Sequence, residues 1–168
     1  SLLGLNWPVL LTGMADRVFL SGAAGYGLYT SIVGAGALLG ALLSLRRQTV
    51  SLRSVYLATA LFMTLKLASS FAPEPISFVV LLALAAAGSI LMWTAANTLL
   101  QFSSNRRIRG RVMSLYLLIA VGGQAFGGLL LGWIVEHAGP RVGMAVSGGI
   151  PLAACLVIGG VLALRARR

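Results

Sequence analysis

Acid is almost absent from this chain. Three carboxylates, one histidine and one cysteine are all that its 168 residues supply of the groups that usually carry chemistry. A single cysteine forms no internal bridge, which excludes a disulfide scaffold. Cys155, in a run of Leu, Ala and Val, reads as a small packing residue. The acids Asp16, Glu74 and Glu136 stand on three separate connections, and His137 follows Glu136 directly. That last pair reads as a polar cap at an interface, with proton exchange as the alternative. No HExxH, CxxC or nucleophile elbow occurs, so no enzyme, metal site or cofactor is expected. Charged residues make up 10%, well under the quarter that a soluble domain carries.

What remains is apolar. Hydrophobic residues are 58% of the chain and the mean hydropathy is +0.95. Such a composition excludes a cytosolic enzyme or a disordered tail and makes lipid or other membrane helices the expected solvent. The net charge of +10 would suit nucleic acid, but its distribution does not. Of 13 Lys and Arg, ten are Arg46, Arg47, Arg53, Arg106, Arg107, Arg109, Arg111, Arg165, Arg167 and Arg168. They punctuate apolar runs instead of lining one face of a folded domain, so no nucleic-acid partner is expected.

Five long apolar segments cover residues 24–45, 52–72, 76–102, 112–135 and 142–164, preceded by a shorter one at 1–15. At 1.5 Å per residue each long segment crosses a core of about 30 Å. Backbone groups in lipid must be satisfied within the segment, so these are helices. The expected fold is therefore all-α and multi-pass, a single unit of six transmembrane helices with the first truncated. The chain starts at Ser1 without methionine, and residues 1–15 lack the features of a signal peptide, so it reads as cut from a longer protein. Pro75 suits a helix start, Gly139-Pro140 a helix stop, and Pro151 a kink inside the last span.

The ten grouped basic residues lie in alternate gaps that hold no acid, whereas the other gaps hold Asp16, Glu74 and Glu136. The positive-inside rule puts the basic gaps and both chain ends in the cytoplasm. Lys66, in the outer third of its span, is expected to snorkel toward the acidic side.

Polar residues within spans cost about 2.5–3.5 kcal/mol when charged and central, so their placement is informative. Ser89, Trp93, Thr94, Asn97, Thr98 and Gln101 share one half of the segment 76–102, with Leu91, Met92, Ala95, Ala96, Leu99 and Phe102 on the other. The polar half lines a cavity or makes interhelical hydrogen bonds without a pathway. In 112–135, Ala120, Gly123, Gln124, Gly127, Gly128 and Gly132 share a face opposite Leu118, Phe126, Leu129 and Trp133. The GxxxG spacings 123/127 and 128/132 predict close helix approach, with Gln124 as either a clasp or a substrate contact. Gly36, Gly40 and Ser44 repeat the small-residue spacing. The resemblance of Gly34-Ala35-Gly36 to a dinucleotide loop fails, because no strand precedes it.

Three stretches carry a family resemblance. Arg109-Gly110-Arg111-Val112-Met113-Ser114-Leu115-Tyr116, closed by Gly132-Trp133-Ile134-Val135-Glu136, resembles the eleventh helix of major facilitator superfamily exporters of the bacterial macrolide-efflux and siderophore-exporter branch. Asn6-Trp7-Pro8-Val9-Leu10, with Gly22-Ala23-Ala24-Gly25-Tyr26-Gly27 and the 34–40 glycine stretch, resembles that branch's seventh and eighth helices. The resemblance implies half of a twelve-helix fold. Its partners would be the bilayer, a missing N-terminal six-helix half, a small-molecule substrate and protons, in the bacterial inner membrane. It makes Trp93, Asn97, Gln101 and Gln124 cavity residues, and Arg46, Arg47, Arg109, Gly110 and Arg111 parts of the cytoplasmic loop motif. Where the family's loop carries an acid with its basic run, only Arg46 and Arg47 stand here. The function implied is proton-driven efflux of a small amphipathic molecule, a drug or siderophore. The rival reading is a non-transporting helical scaffold that only associates with partner helices.

Overall fold

The computed structural model describes residues 2–46, 51–105 and 107–165, the last five only as helix. Arg47, Arg106, Arg167 and Arg168 lie outside the described residues. Every regular element described is helical: α1 (Trp7–Gly13), a π turn (Met14–Val18), α2 (Gly22–Leu45), α3 (Leu52–Ser70), α4 (Pro75–Ser103), α5 (Arg109–Ala138) and α6 (Pro140–Arg165).

Local chemistry explains the ends. Ser51 and Ser54 form a reciprocal capping box at the start of α3: the Ser54 N–H donates to Ser51 Oγ at 3.2 Å, and the Ser51 N–H to Ser54 Oγ at 3.0 Å. Pro75 occupies the first turn of α4. Gly139, at φ +92°, closes α5 in a conformation costly for any residue with a Cβ, and Pro140 opens α6 at once. α6 then runs unbroken through Pro151.

Among the described residues, four helices are long and apolar enough to cross a membrane: α2, α4, α5 and α6 over Pro140–Gly160. The expected six spans are thus not all met by length and composition. α3 carries Arg53 and Lys66 within 19 residues, and α1 has only seven residues.

Small residues decide the packing. α4 lies between α2 and α3, α6 covers the far side of α3, and α5 leans on α6 while barely touching α4. A Cβ on Gly36 or Gly40 of α2 would strike the Ala83 or Ala87 carbonyl of α4. One on Gly148 of α6 would stand 2.8 Å from the Leu67 nitrogen of α3. α1 and its π turn sit among α2, α5 and α6, where Leu10, Leu11, Met14, Tyr29, Phe78 and Met144 form the main core. Large apolar side chains left outside include Leu38, Leu39 and Leu42 of α2, Phe126 and Leu129 of α5, and Leu156, Val157 and Ile158 of α6.

Lys66 corrects an expectation. It does not snorkel outward. Its side chain is fully buried, turned toward the irregular residues 2–6 that precede α1.

Candidate functional site

The site grows from the irregular stretch that precedes α1. Residues 2–5 form turns, Asn6 is irregular, and helix begins only at Trp7, with Pro8 in its first turn. Pro8 has no N–H, so helix cannot be closed backward through it. Several carbonyls are left needing donors from elsewhere. Asn6 Nδ2 donates to the Leu2 carbonyl at 2.8 Å, and Gln124 Nε2, from α5, donates to the Leu5 carbonyl at 2.9 Å. The Trp7 N–H also reaches the Leu5 carbonyl, at 3.0 Å. Lys66 Nζ, from α3, donates to the Gly4 carbonyl.

A cavity of about 300 Å³ opens beside this break, lined by Leu5, Trp7, Val33, Ala37, Ser89, Ile90, Trp93 and Gln124. Its walls come from the irregular segment, α1, α2, α4 and α5. Two indoles supply most of its aromatic surface. Trp93 is braced by Tyr116 of α5, ring centres 5.7 Å apart, and Trp7 leans on Phe62 of α3 at 5.9 Å. Ser89 donates its hydroxyl hydrogen to the Ala86 carbonyl at 2.7 Å, which leaves its oxygen lone pairs as acceptors. Gln124 likewise has its carbonyl oxygen in reserve. Among the described residues, no charged side chain lines the cavity. Such a wall accepts an apolar or aromatic body and orients it by a few hydrogen bonds.

Of the residues singled out from sequence, Trp93 and Gln124 therefore meet in one cavity. Asn97 does not line it: its Nδ2 donates back to the Trp93 carbonyl of the same helix at 3.0 Å. Gln101 is exposed, two turns beyond Trp93. Gly127 and Gly128 of α5 face the irregular segment. A Cβ on Gly127 would strike the Leu2 carbonyl, and one on Gly128 would stand 3.3 Å from Asn6 Oδ1. Gly123 has ordinary room, 3.8 Å from Leu2, and Gly132 has nothing within 4 Å. In the loop motif, Arg46, Gly110 and Arg111 are exposed, while the Nε of Arg109 is buried with no hydrogen-bond partner among the described residues. Sequence reasoning missed Trp7 as a cavity wall. The signal was there, a tryptophan beside a proline within the apolar run 1–15.

A second opening, of about 460 Å³, lies at the end of the bundle that carries Asp16 and Glu136. There Arg17 donates to the carbonyls of Val135 and Glu136 at 3.3 and 3.4 Å, tying the π turn to the last turn of α5. Cations at a helix C-terminus complement its dipole. Next to it, His137 stacks on Trp133 with ring centres 4.8 Å apart.

Apolar helices long enough to cross a membrane, packed through glycine seams around a cavity walled by five elements, define a helical membrane protein. The chain belongs to the transmembrane secretion effector family, of the major facilitator type, whose family model matches residues 7–167. No curated protein and no solved structure matches it.

Proposed function

We propose that the chain is the C-terminal six-helix half of a bacterial inner-membrane exporter. α1 with its π turn serves as the first span and α3 as the third. This half rocks against an N-terminal six-helix half and exposes a midplane site to each side in turn, driven by the proton gradient. The basic end, with Arg46, Arg109 and Arg111, faces the cytoplasm, as do both ends of the half. The cargo is a small amphipathic molecule, of the drug or siderophore type. Trp93 and Gln124 hold it together with Trp7 and Ser89, and Asn97 and Gln101 extend the path along α4.

One observation carries this reading: the cavity beside the broken segment is walled by two indoles, one hydroxyl and one amide, with no charge. An apolar pocket with few polar groups binds through buried area and takes its selectivity from those groups. The test is export of a fluorescent amphipathic cation that the wild-type transporter moves, at matched protein levels. Trp93→Ala removes one aromatic wall and is expected to weaken apparent affinity roughly tenfold, the equivalent of about 1.4 kcal/mol. Export by Trp93→Ala at wild-type rate and affinity would remove the cavity from the pathway.

A further inference from the structure

A buried lysine without a carboxylate needs an explanation. The Lys66 ammonium is withdrawn completely from solvent, and the elements packed around it supply no acid: residues 2–13, α3, α4 and α6 contain none. Its company is a backbone carbonyl and two rings. Nζ donates to the Gly4 carbonyl and lies 4.2 Å from the centre of the Trp7 ring and 5.9 Å from that of Phe62. Aromatic faces attract cations, and a desolvated cation more strongly.

The identity of that carbonyl matters. In a continuous helix the Gly4 oxygen would accept from the N–H of residue 8. Residue 8 is proline and has none. An orphaned carbonyl away from water demands another donor. Lys66 reaches it from 62 residues down the chain.

We propose that Lys66 is the positioning residue of the cavity: its ammonium replaces the N–H that Pro8 lacks, holds the first segment open before α1, and keeps Trp7 in the cavity wall. One indole thus meets the ammonium and borders the cavity at once. Gln124 on the Leu5 carbonyl secures the other side of the same break. The inference rests on the transport reading only in taking that wall as a substrate contact.

A double-mutant cycle tests the clasp, using the complete chain in lipid nanodiscs. Lys66→Met removes the donor while keeping the length, and Pro8→Ala gives residue 8 its own N–H. Lys66→Met alone is expected to lower the unfolding midpoint by about 4–8 °C, the effect of a buried carbonyl left unpaired in a domain of this size. In the Pro8→Ala background the same substitution should cost less than half as much. If Lys66→Met alone yields no folded protein, recovery of folded yield in the double variant is the same result. Equal losses in both backgrounds, or no recovery, overturn the clasp.

Positioning is read separately from Trp7 itself. With Trp93→Phe and Trp133→Phe, Trp7 becomes the only indole, and its quenching by acrylamide reports its shelter. Lys66→Met should lose that shelter, and Lys66→Gln, an uncharged donor, should regain part of it. Quenching unchanged by Lys66→Met overturns the positioning role. Neither measurement needs a substrate, so their failure and a failed export assay are distinguishable.

Discussion

Two glycine faces do different work in this molecule. On α2, Gly36 and Gly40 lie against the backbone of α4, where the Ala83 and Ala87 carbonyls fill the space a side chain would need. On α5, Gly127 and Gly128 lie against residues 2–6, an irregular strand of chain whose carbonyls are held by Asn6, Lys66 and Gln124. The first face closes two straight helices into a seam. The second seats a broken one and leaves a cavity beside it. On α2 the four-residue repeat marks the close backbone; on α5 only Gly127 and Gly128 meet one, while Gly123 has ordinary room and Gly132 has nothing within 4 Å, so the spacing alone names neither the contact nor whether that backbone is regular.

The contrast is sharpest in what a side chain would displace. Gly36→Leu should have the largest effect, because neither α2 nor α4 can yield locally. A loss of about 3 kcal/mol or more is expected, read as absence of a monodisperse peak after detergent extraction. Gly34→Leu, which has nothing within 4 Å, is its control on the same helix. A folded Gly36→Leu protein would dissolve the seam.

Gly127→Leu should come next, at about 1–3 kcal/mol, because the short segment at Leu2 is able to shift where a whole helix is not. Leu129→Ala, on a side chain 76% exposed, should change thermal stability in detergent by under about 0.5 kcal/mol. Equal melting of these two variants would place the Gly127 face toward lipid, and a loss as large as that of Gly36→Leu would erase the contrast between the faces.

The smallest of the three effects compares two amides. Gln124→Leu leaves the Leu5 carbonyl without its α5 donor, and about 1–2 kcal/mol of stability together with reduced export is expected. Asn97→Leu removes a bond within its own helix and a polar group on the path beyond the cavity, so its stability should stay within about 0.5 kcal/mol of wild type and it should export more than Gln124→Leu does. Reversal of that order would put the polar contact of the cavity on α4 instead of α5.

Much of the architecture was legible in the residues. Hydropathy is a local property, so the runs of Leu, Ala, Val and Gly mark the long helices on their own. The breakers at Pro75 and Gly139-Pro140 mark two of their ends, because a missing N–H and a positive φ each act within one turn, while the Ser51–Ser54 capping box of α3 went unread. The polar half of α4 was also visible as a periodicity. Which of its members meet a cavity was not: Ser89 and Trp93 do, while Asn97, one turn on from Trp93, folds back on its own helix.

By itself the sequence determined that this is an all-helical membrane chain with small-residue faces and almost no acid, because each of those properties is read from neighbours in the chain. Tertiary structure alone decided the partners. Nothing near position 66 says that its ammonium turns inward to the Gly4 carbonyl, and nothing near position 124 names the Leu5 carbonyl 119 residues away. The missing N–H at Pro8 frees the Gly4 carbonyl, and the irregular residues 2–6 leave the Leu5 carbonyl open to a donor from α5. The carbonyl oxygens freed around that break accept from whichever donor the packing of α3 and α5 brings within reach, and only the folded chain supplies that proximity.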